Sequence, residues 1–196
     1  LANITFIRQV ETKGLGHAIL RAKNFVGNEP FAVMYGDDVI IGENPAIGEL
    51  IESYGEYGKG VVGVKLVPET EIHKYGSLAV ENIHDNIYKC TDMVEKPQTP
   101  EEVLSCYSIL GRCVLPPEIF EILENTKPGK GGEIQLTDAM KEIATTVGMT
   151  AVEYTGTRYD MGNKLGILQA SIEVGINHPE VGEDFKKYLK EFAKTL

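Results

Sequence analysis

The sequence predicts an α/β fold with a largely parallel sheet, and two observations carry that prediction. Apolar runs of four to eight residues, rich in Val and Ile, alternate with stretches whose apolar residues recur at helical spacing, the pattern of successive β-α units. Turn-forming residues bound these segments, and neither a repeat nor a low-complexity linker interrupts them. In chain order the strands are expected at residues 4–9, 31–35, 60–66, 78–82, 87–95, 106–114 and 150–154. Helices are expected near 17–26, 46–57, 99–104, 118–125, 136–147, 164–176 and 180–195. Thr99-Pro100-Glu101-Glu102 supports one helix start, with a capping hydroxyl before proline and acids near the positive end of the dipole. Pro116-Pro117-Glu118 supports another, and 127–132, Lys-Pro-Gly-Lys-Gly-Gly, reads as a mobile loop inside one domain spanning 1–196.

Composition bounds the function. The 196 residues, 42% hydrophobic and 24% charged, suffice for a substantial core. A formal charge of −10 with no basic stripe argues against nucleic acid, while a small phosphorylated substrate held by a metal and a few local cations is compatible. No apolar run reaches the roughly 18 residues of a membrane span, and no signal peptide precedes the first strand, so a cytoplasmic protein without a membrane partner is expected. Cys90, Cys106 and Cys113 are odd in number and lack CxxC spacing, which points away from disulfides and zinc. The chain begins at Leu1 in what reads as a strand already under way, the mark of a truncated protein.

Five segments could carry chemistry. Gln9 precedes Lys13-Gly14-Leu15-Gly16-His17-Ala18, where glycines let backbone approach a ligand and the Gln9 amide offers a donor and an acceptor to a base edge. Such turns also close many β-α units for steric reasons alone, and His17 there reads as surface or helix-start packing. Tyr35-Gly36-Asp37-Asp38 ends an apolar strand, where open α/β sheets place ligands and an acid can hold Mg²⁺ against phosphate oxygens. Adjacent acids face opposite ways on a continuing strand, so one of the two is the ligand; a solvated turn is the plainer alternative. Val94-Glu95-Lys96-Pro97 offers a carboxylate for sugar hydroxyls and a cation for phosphate, or simply an exposed ion pair. Tyr159-Asp160-Met161-Gly162 offers a second carboxylate for the same Mg²⁺, or a capping acid before a helix that begins at Gly162-Asn163. Gly131-Gly132-Glu133-Ile134-Gln135-Leu136-Thr137-Asp138 is the fifth candidate, with the plainer alternative that Thr137 or Asp138 begins a helix. The four histidines lack metal-ligand spacing, and no nucleophile-base set stands out.

In this order and spacing, the five segments resemble the enzymes that join a sugar 1-phosphate to a nucleoside triphosphate. KGLGHAIL, the stretch ending in VEKP, GGEIQLTDA and YDMGNKLGILQASIEVGINHPE look like the bacterial-type UTP–glucose-1-phosphate uridylyltransferase branch, over nearly the whole chain. The resemblance implies a Rossmann-like three-layer fold with a mixed, mainly parallel sheet, incomplete at its amino terminus. It implies UTP and glucose 1-phosphate as substrates, UDP-glucose as product, and Mg²⁺ as cofactor. Residue by residue, it implies that Gln9 and Gly14 contact uracil and that Asp37 and Asp160 hold Mg²⁺. Gly76, Glu95 and, more weakly, Asp38 would contact glucose, and Lys96 its phosphate, with Asp37 and Lys96 as the catalytic pair. Gly131 stands where thymidylyltransferase relatives carry an Arg, and a phosphate role for Lys130 stays open. The family's G-x-G-T-R-x-x-P-x-T-K loop is absent, Thr155-Gly156-Thr157-Arg158 echoing it only superficially, so this stretch alone is expected to be inactive. Rival readings are a sister enzyme using dTTP, a non-catalytic nucleotide-sugar-binding paralogue, and a nicotinamide oxidoreductase, the last opposed by the missing GxGxxG. Family members commonly form homo-oligomers, and Phe185, Tyr188, Leu189 and Phe192 at helical spacing could serve an interface or pack internally.

Overall fold

Valine-rich segments form sheet here because branched side chains suit a pleated surface covered on both faces. The computed structural model of the chain describes residues 2–196. Its strands are β1 (Phe31–Met34), β2 (Asp38–Ile41), β3 (Gly60–Leu66), β4 (Gly76–His84), β5 (Ile87–Glu95), β6 (Tyr107–Leu115), β7 (Met149–Glu153) and β8 (Thr157–Asp160). Its helices are α1 (Leu15–Leu20), α2 (Lys23–Val26), α3 (Ala46–Tyr57), α4 (Ile119–Asn125), α5 (Leu136–Thr146), α6 (Lys164–Ile176) and α7 (Gly182–Ala193).

Six strands form one sheet in the order β1-β6-β3-β7-β5-β4, and β2 pairs with β8 as a separate ribbon. Among the described residues β3 and β7 pair in parallel, and the sheet's other pairings are antiparallel. Followed through those pairings, β1, β3, β4 and β7 run one way and β5 and β6 the other. The mixed α/β sheet expected from the sequence is present, and its parallel character lies in shared strand direction more than in neighbouring pairs. β4 also pairs with the start of β6, through Gly76 with Ile109 and Ser77 with Ser108, so the pairings return to β6.

Alternation along each strand sends side chains to two cores. Val62, Val64, Cys113, Leu115, Met149 and Ala151 meet Ile119, Phe120 and Leu123 of α4 and Leu136, Met140 and Ile143 of α5. Their neighbours Val61, Val114 and Val152 face the other way, onto Leu50 of α3. Helices therefore cover both faces, the three-layer arrangement.

Four expectations need correction. Residues 4–9 have no regular secondary structure; no strand among the described residues pairs with them, and Ile4 and Phe6 are 75% and 94% exposed. The helix expected over 17–26 begins at Leu15 and breaks into α1 and α2, because Ala22 bonds back three residues to Ile19 at 2.9 Å and ends the first segment. The helix expected over 99–104 is a single 3₁₀ turn, Pro100–Glu102, without a side-chain cap from Thr99, and Val103 is already extended. β2 and β8 lie in segments to which the sequence assigns no strand.

Candidate active site

The site is assembled on a bulge. Gly111, in the middle of β6, takes φ 73°, and the β3 register shifts between Val62 and Val64 opposite it. Asp38 packs where a side chain at 111 would go: a Cβ there would lie 2.5 Å from Asp38 Cβ, so only glycine fits. The Gly111 carbonyl accepts from the Tyr35 amide at 2.9 Å. Arg112 donates to the carbonyls of Gly111, Tyr35 and Asp38 at 2.7, 3.3 and 2.9 Å. Main-chain bonds thus pin the β1–β2 connection to the sheet and fix where Asp37 and Asp38 stand.

The ribbon brings the second acid. Asp38 and Asp160 are register partners across β2 and β8, and the Met161 amide donates to the Asp37 carbonyl at 2.7 Å. Asp160 Oδ1 accepts from the Gly162 amide at 2.9 Å, and Asn163 caps α6 by accepting from Gly166 at 2.7 Å. Asp160 Oδ1 and Asp37 Oδ2 lie 3.0 and 3.6 Å from a single point, the place a Cβ on Gly162 would occupy. Two carboxylate oxygens converging on one side of a glycine suit Mg²⁺, which takes one or two carboxylates and completes its shell with phosphate oxygens and water. Among the described residues no group of three or more His, Cys, Asp and Glu could hold a metal ion.

Asp38 is engaged by a cation. Arg158 donates from Nε to Asp38 Oδ1, approaches Asp160 Oδ2 at 3.7 Å, reaches the Tyr75 hydroxyl at 3.4 Å and lies 5.1 Å over the Tyr75 ring. Burial pushes the Asp38 carboxyl above its ordinary range; Arg158 opposes that shift, and the neighbouring charges of Asp37 and Asp160 add to it. The separation of roles between adjacent acids follows from this pair, since one is occupied by a guanidinium and the other turns to the open cleft.

The opposite wall is the β4–β5 pair. Gly76 faces Glu95 across it, and Ser108 donates to the Gly76 carbonyl at 3.1 Å. Glu95 Oε2 accepts from the Thr137 hydroxyl at 2.6 Å, and Lys96 Nζ lies 3.5 Å from Glu95 Oε1. Lys96 takes φ 46° at the end of β5, and its amide donates to the Tyr75 carbonyl at 3.0 Å. Burial and then the Glu95 charge raise the carboxyl of Asp138 above its ordinary range.

Two sequence segments knit together to make the third wall. The Gly16 amide donates to the Ile134 carbonyl at 2.9 Å, and the Ile134 amide to the Lys13 carbonyl at 2.8 Å. Gly14 has φ 93° and lies against Glu133, where a Cβ would meet Glu133 Cβ at 2.7 Å. Gln9 stands behind this turn, its amide nitrogen 3.2 Å from the Gly14 carbonyl and 2.9 Å from His17 Nδ1.

Asp37, Asp38, Gly76, Glu95, Lys96 and Asp160 line one cleft of about 300 Å³, joined by Leu15 and Glu133 from the third wall. Gln9 and Gly14 stand beside that cleft rather than in its lining. A larger cavity of about 680 Å³ between α2 and α4 holds none of these residues. Sequence reasoning missed Arg158, Tyr75 and Arg112 and gave Thr137 no specific role. Arg158 lies two residues before Asp160, hence on the same face of a strand, and that spacing was the available signal. Thr137 was taken for a helix start, but the cap position is Gln135 and the Thr137 hydroxyl serves Glu95.

With this geometry in place, comparison with known proteins assigns the class. The family profile of nucleotidyl transferases matches residues 2–175, and the chain belongs to that family. Within it, the chain is 44% identical over 191 residues to a UTP–glucose-1-phosphate uridylyltransferase of Staphylococcus epidermidis, covering 97% of the chain and 66% of that relative. It is 44% identical to the UTP–glucose-1-phosphate uridylyltransferase YngB of Bacillus subtilis, over 99% of the chain and 65% of the relative. A UDP-glucose pyrophosphorylase solved in complex with UDP-glucose superposes with a TM-score of 0.85 at 39% identity, over 89% of this chain and 66% of that one. A UTP-bound UGPase from Acinetobacter baumannii gives 0.83 at 34% identity, over 92% and 63%. The chain therefore spans slightly less than two thirds of the length of these proteins.

Proposed function

We propose that the protein transfers a uridylyl group from UTP to α-D-glucose 1-phosphate, forming UDP-glucose and pyrophosphate, with Mg²⁺ held by Asp37 and Asp160. The observation that carries this reading is the convergence of Asp37 and Asp160 on one point, facing a wall that presents Glu95 and Lys96. The names of the 44%-identical relatives and of the UDP-glucose-bound structure support it. The working protein is read as a cytoplasmic homo-oligomer; no helix among the described residues is long and apolar enough to cross a membrane.

A sugar phosphate oxygen is already an anion at neutral pH, so its attack on the α-phosphorus of UTP needs no strong base. The difficulty is bringing two anions into line. Bound Mg²⁺ supplies charge neutralisation at the phosphate oxygens. Lys96 meets the sugar phosphate from just past the end of β5, where its backbone is left-handed and its Nζ lies 3.5 Å from Glu95 Oε1. Glu95, with Oε2 engaged by Thr137 and Oε1 beside Lys96, offers its remaining acceptor capacity to sugar hydroxyls next to Gly76. Gln9 and Gly14 hold the base at the neighbouring turn. Thr137 on Glu95, the Gly162 amide on Asp160 and the Gly14–His17 turn on Gln9 preorganise part of the site, which lowers the reorganisation needed on binding.

The test is calorimetric titration of UDP-glucose with Mg²⁺ into the full-length protein, with Asp37→Ala and Lys96→Ala as comparisons. Each substitution is expected to weaken binding by roughly 10- to 100-fold, the loss of one charge-assisted contact. Binding undisturbed by either would refute the assigned cleft.

A further inference from the structure

His17 was assigned no chemistry by the sequence, yet its ring meets Gln9, the side chain to which the functional reading gives the base. The Gly14 carbonyl can only accept, so the end of the Gln9 amide that faces it at 3.2 Å is the NH₂ group. That same nitrogen lies 2.9 Å from His17 Nδ1. Both amide hydrogens are thereby directed inward, one to the carbonyl and one to the ring. His17 Nδ1 is the acceptor, and the ring hydrogen sits on Nε2. What Gln9 has left to offer is Oε1, an acceptor.

We infer that His17 is a specificity-positioning residue: it locks the Gln9 amide so that Oε1 accepts from the N3–H of an imide base, uracil or thymine, and opposes the bare N3 of cytosine. The inference rests on the uridylyl-transfer reading and deepens it, by naming what excludes a cytidine nucleotide. The clamp is built from the fold. Gly14 and His17 belong to the turn and first helical residues that the Gly16–Ile134 and Ile134–Lys13 bonds hold against the 133–134 segment, and Leu15 and Glu133 continue from it into the cleft lining. Gln9 and His17 are both half-buried, so water competes only in part for the amide. Without the ring, one of the two bonds that hold the amide is lost, and the Gly14 carbonyl alone opposes the half-turn that would present NH₂ to cytosine N3.

The test compares dissociation constants of UDP-glucose, dTDP-glucose and CDP-glucose on the full-length wild-type protein, His17→Ala and His17→Asn. Asparagine keeps an acceptor near the place of Nδ1. Wild type is expected to disfavour CDP-glucose. His17→Ala is expected to shrink the uridine-over-cytidine ratio by about tenfold, the value of one oriented hydrogen bond, while the uridine-over-thymidine ratio stays fixed. His17→Asn should restore most of the discrimination. A purely structural role for His17 would weaken all three ligands alike, and equal weakening overturns the inference while leaving the functional reading intact. A wild-type protein that prefers CDP-glucose overturns the functional reading itself. Nitrogen chemical shifts of the His17 ring in the wild-type protein give an independent measure: hydrogen on Nε2 is expected, and hydrogen on Nδ1 refutes the clamp.

Discussion

The six-stranded sheet and the two-stranded ribbon lie against each other and are held by different forces. In the sheet, Val61, Val62, Val64 and Leu78 have no solvent exposure, and helices close both faces. Such a core gains stability from area removed from water, a non-directional term that many packings can satisfy. The ribbon is four residues long on each strand, Ile41 at one end is 42% exposed, and Asp38 at the other end is tied by an ion pair to Arg158. An ion pair stabilises weakly but specifies geometry, because both partners must be satisfied in one arrangement. The sheet gives the molecule its stability, and the ribbon decides where the acids stand.

That contrast can be broken by substitution on either side. Leu78→Ala empties a fully buried position in the sheet and is expected to lower stability by about 2–5 kcal/mol in urea unfolding, with ligand affinity of the remaining folded protein nearly unchanged. Arg158→Met is expected to lower stability by about 1–3 kcal/mol, leaving Asp38 buried without its cation, and to weaken Mg²⁺ binding by roughly tenfold in a metal titration. Arg158→Lys restores charge without the planar fork and should recover only part of that affinity. Equal metal affinity in Arg158→Met would mean that the ribbon positions nothing. The smallest effect concerns the buried thiols. Burial pushes Cys90 and Cys113 up to about 12, so the neutral thiol is favoured in the fold. The stability this contributes is complete below the ordinary thiol range and is lost as pH rises through about 12. A disulfide reagent at pH of about 8 is therefore expected to titrate at most Cys106 in the native protein, and all three thiols once it is unfolded.

The same contrast governs what could be read from the sequence. Residues 60–66 and 87–95 match β3 and β5 to the residue because continuous apolar or alternating runs are a local signal of burial. Thr157-Arg158-Tyr159-Asp160 carries no such signal: its strand exists because β2 lies across from it and Arg158 bridges the two, a contact between residues far apart in the chain. Asp37, Glu95 and Lys96 could be picked out as candidates because they end or closely follow apolar strands, where ligands gather. Thr137, Tyr75 and Arg112 were not, since each acts through a partner on another element. The segment 4–9 shows the converse failure, a strand-like composition without a neighbour to complete the ladder.

The order of the sheet carries a further consequence, for synthesis. β7, the last of its six strands to leave the ribosome, is inserted between β3 and β5 and makes the parallel pair at the centre. At roughly 5–20 residues per second, translation leaves the valine-rich edge of β3 without that partner for several seconds. A nascent chain in that interval offers an open, apolar edge to other chains. Chaperone demand during synthesis is therefore expected to concentrate between Leu66 and Met149, the interval in which β3 waits for β7.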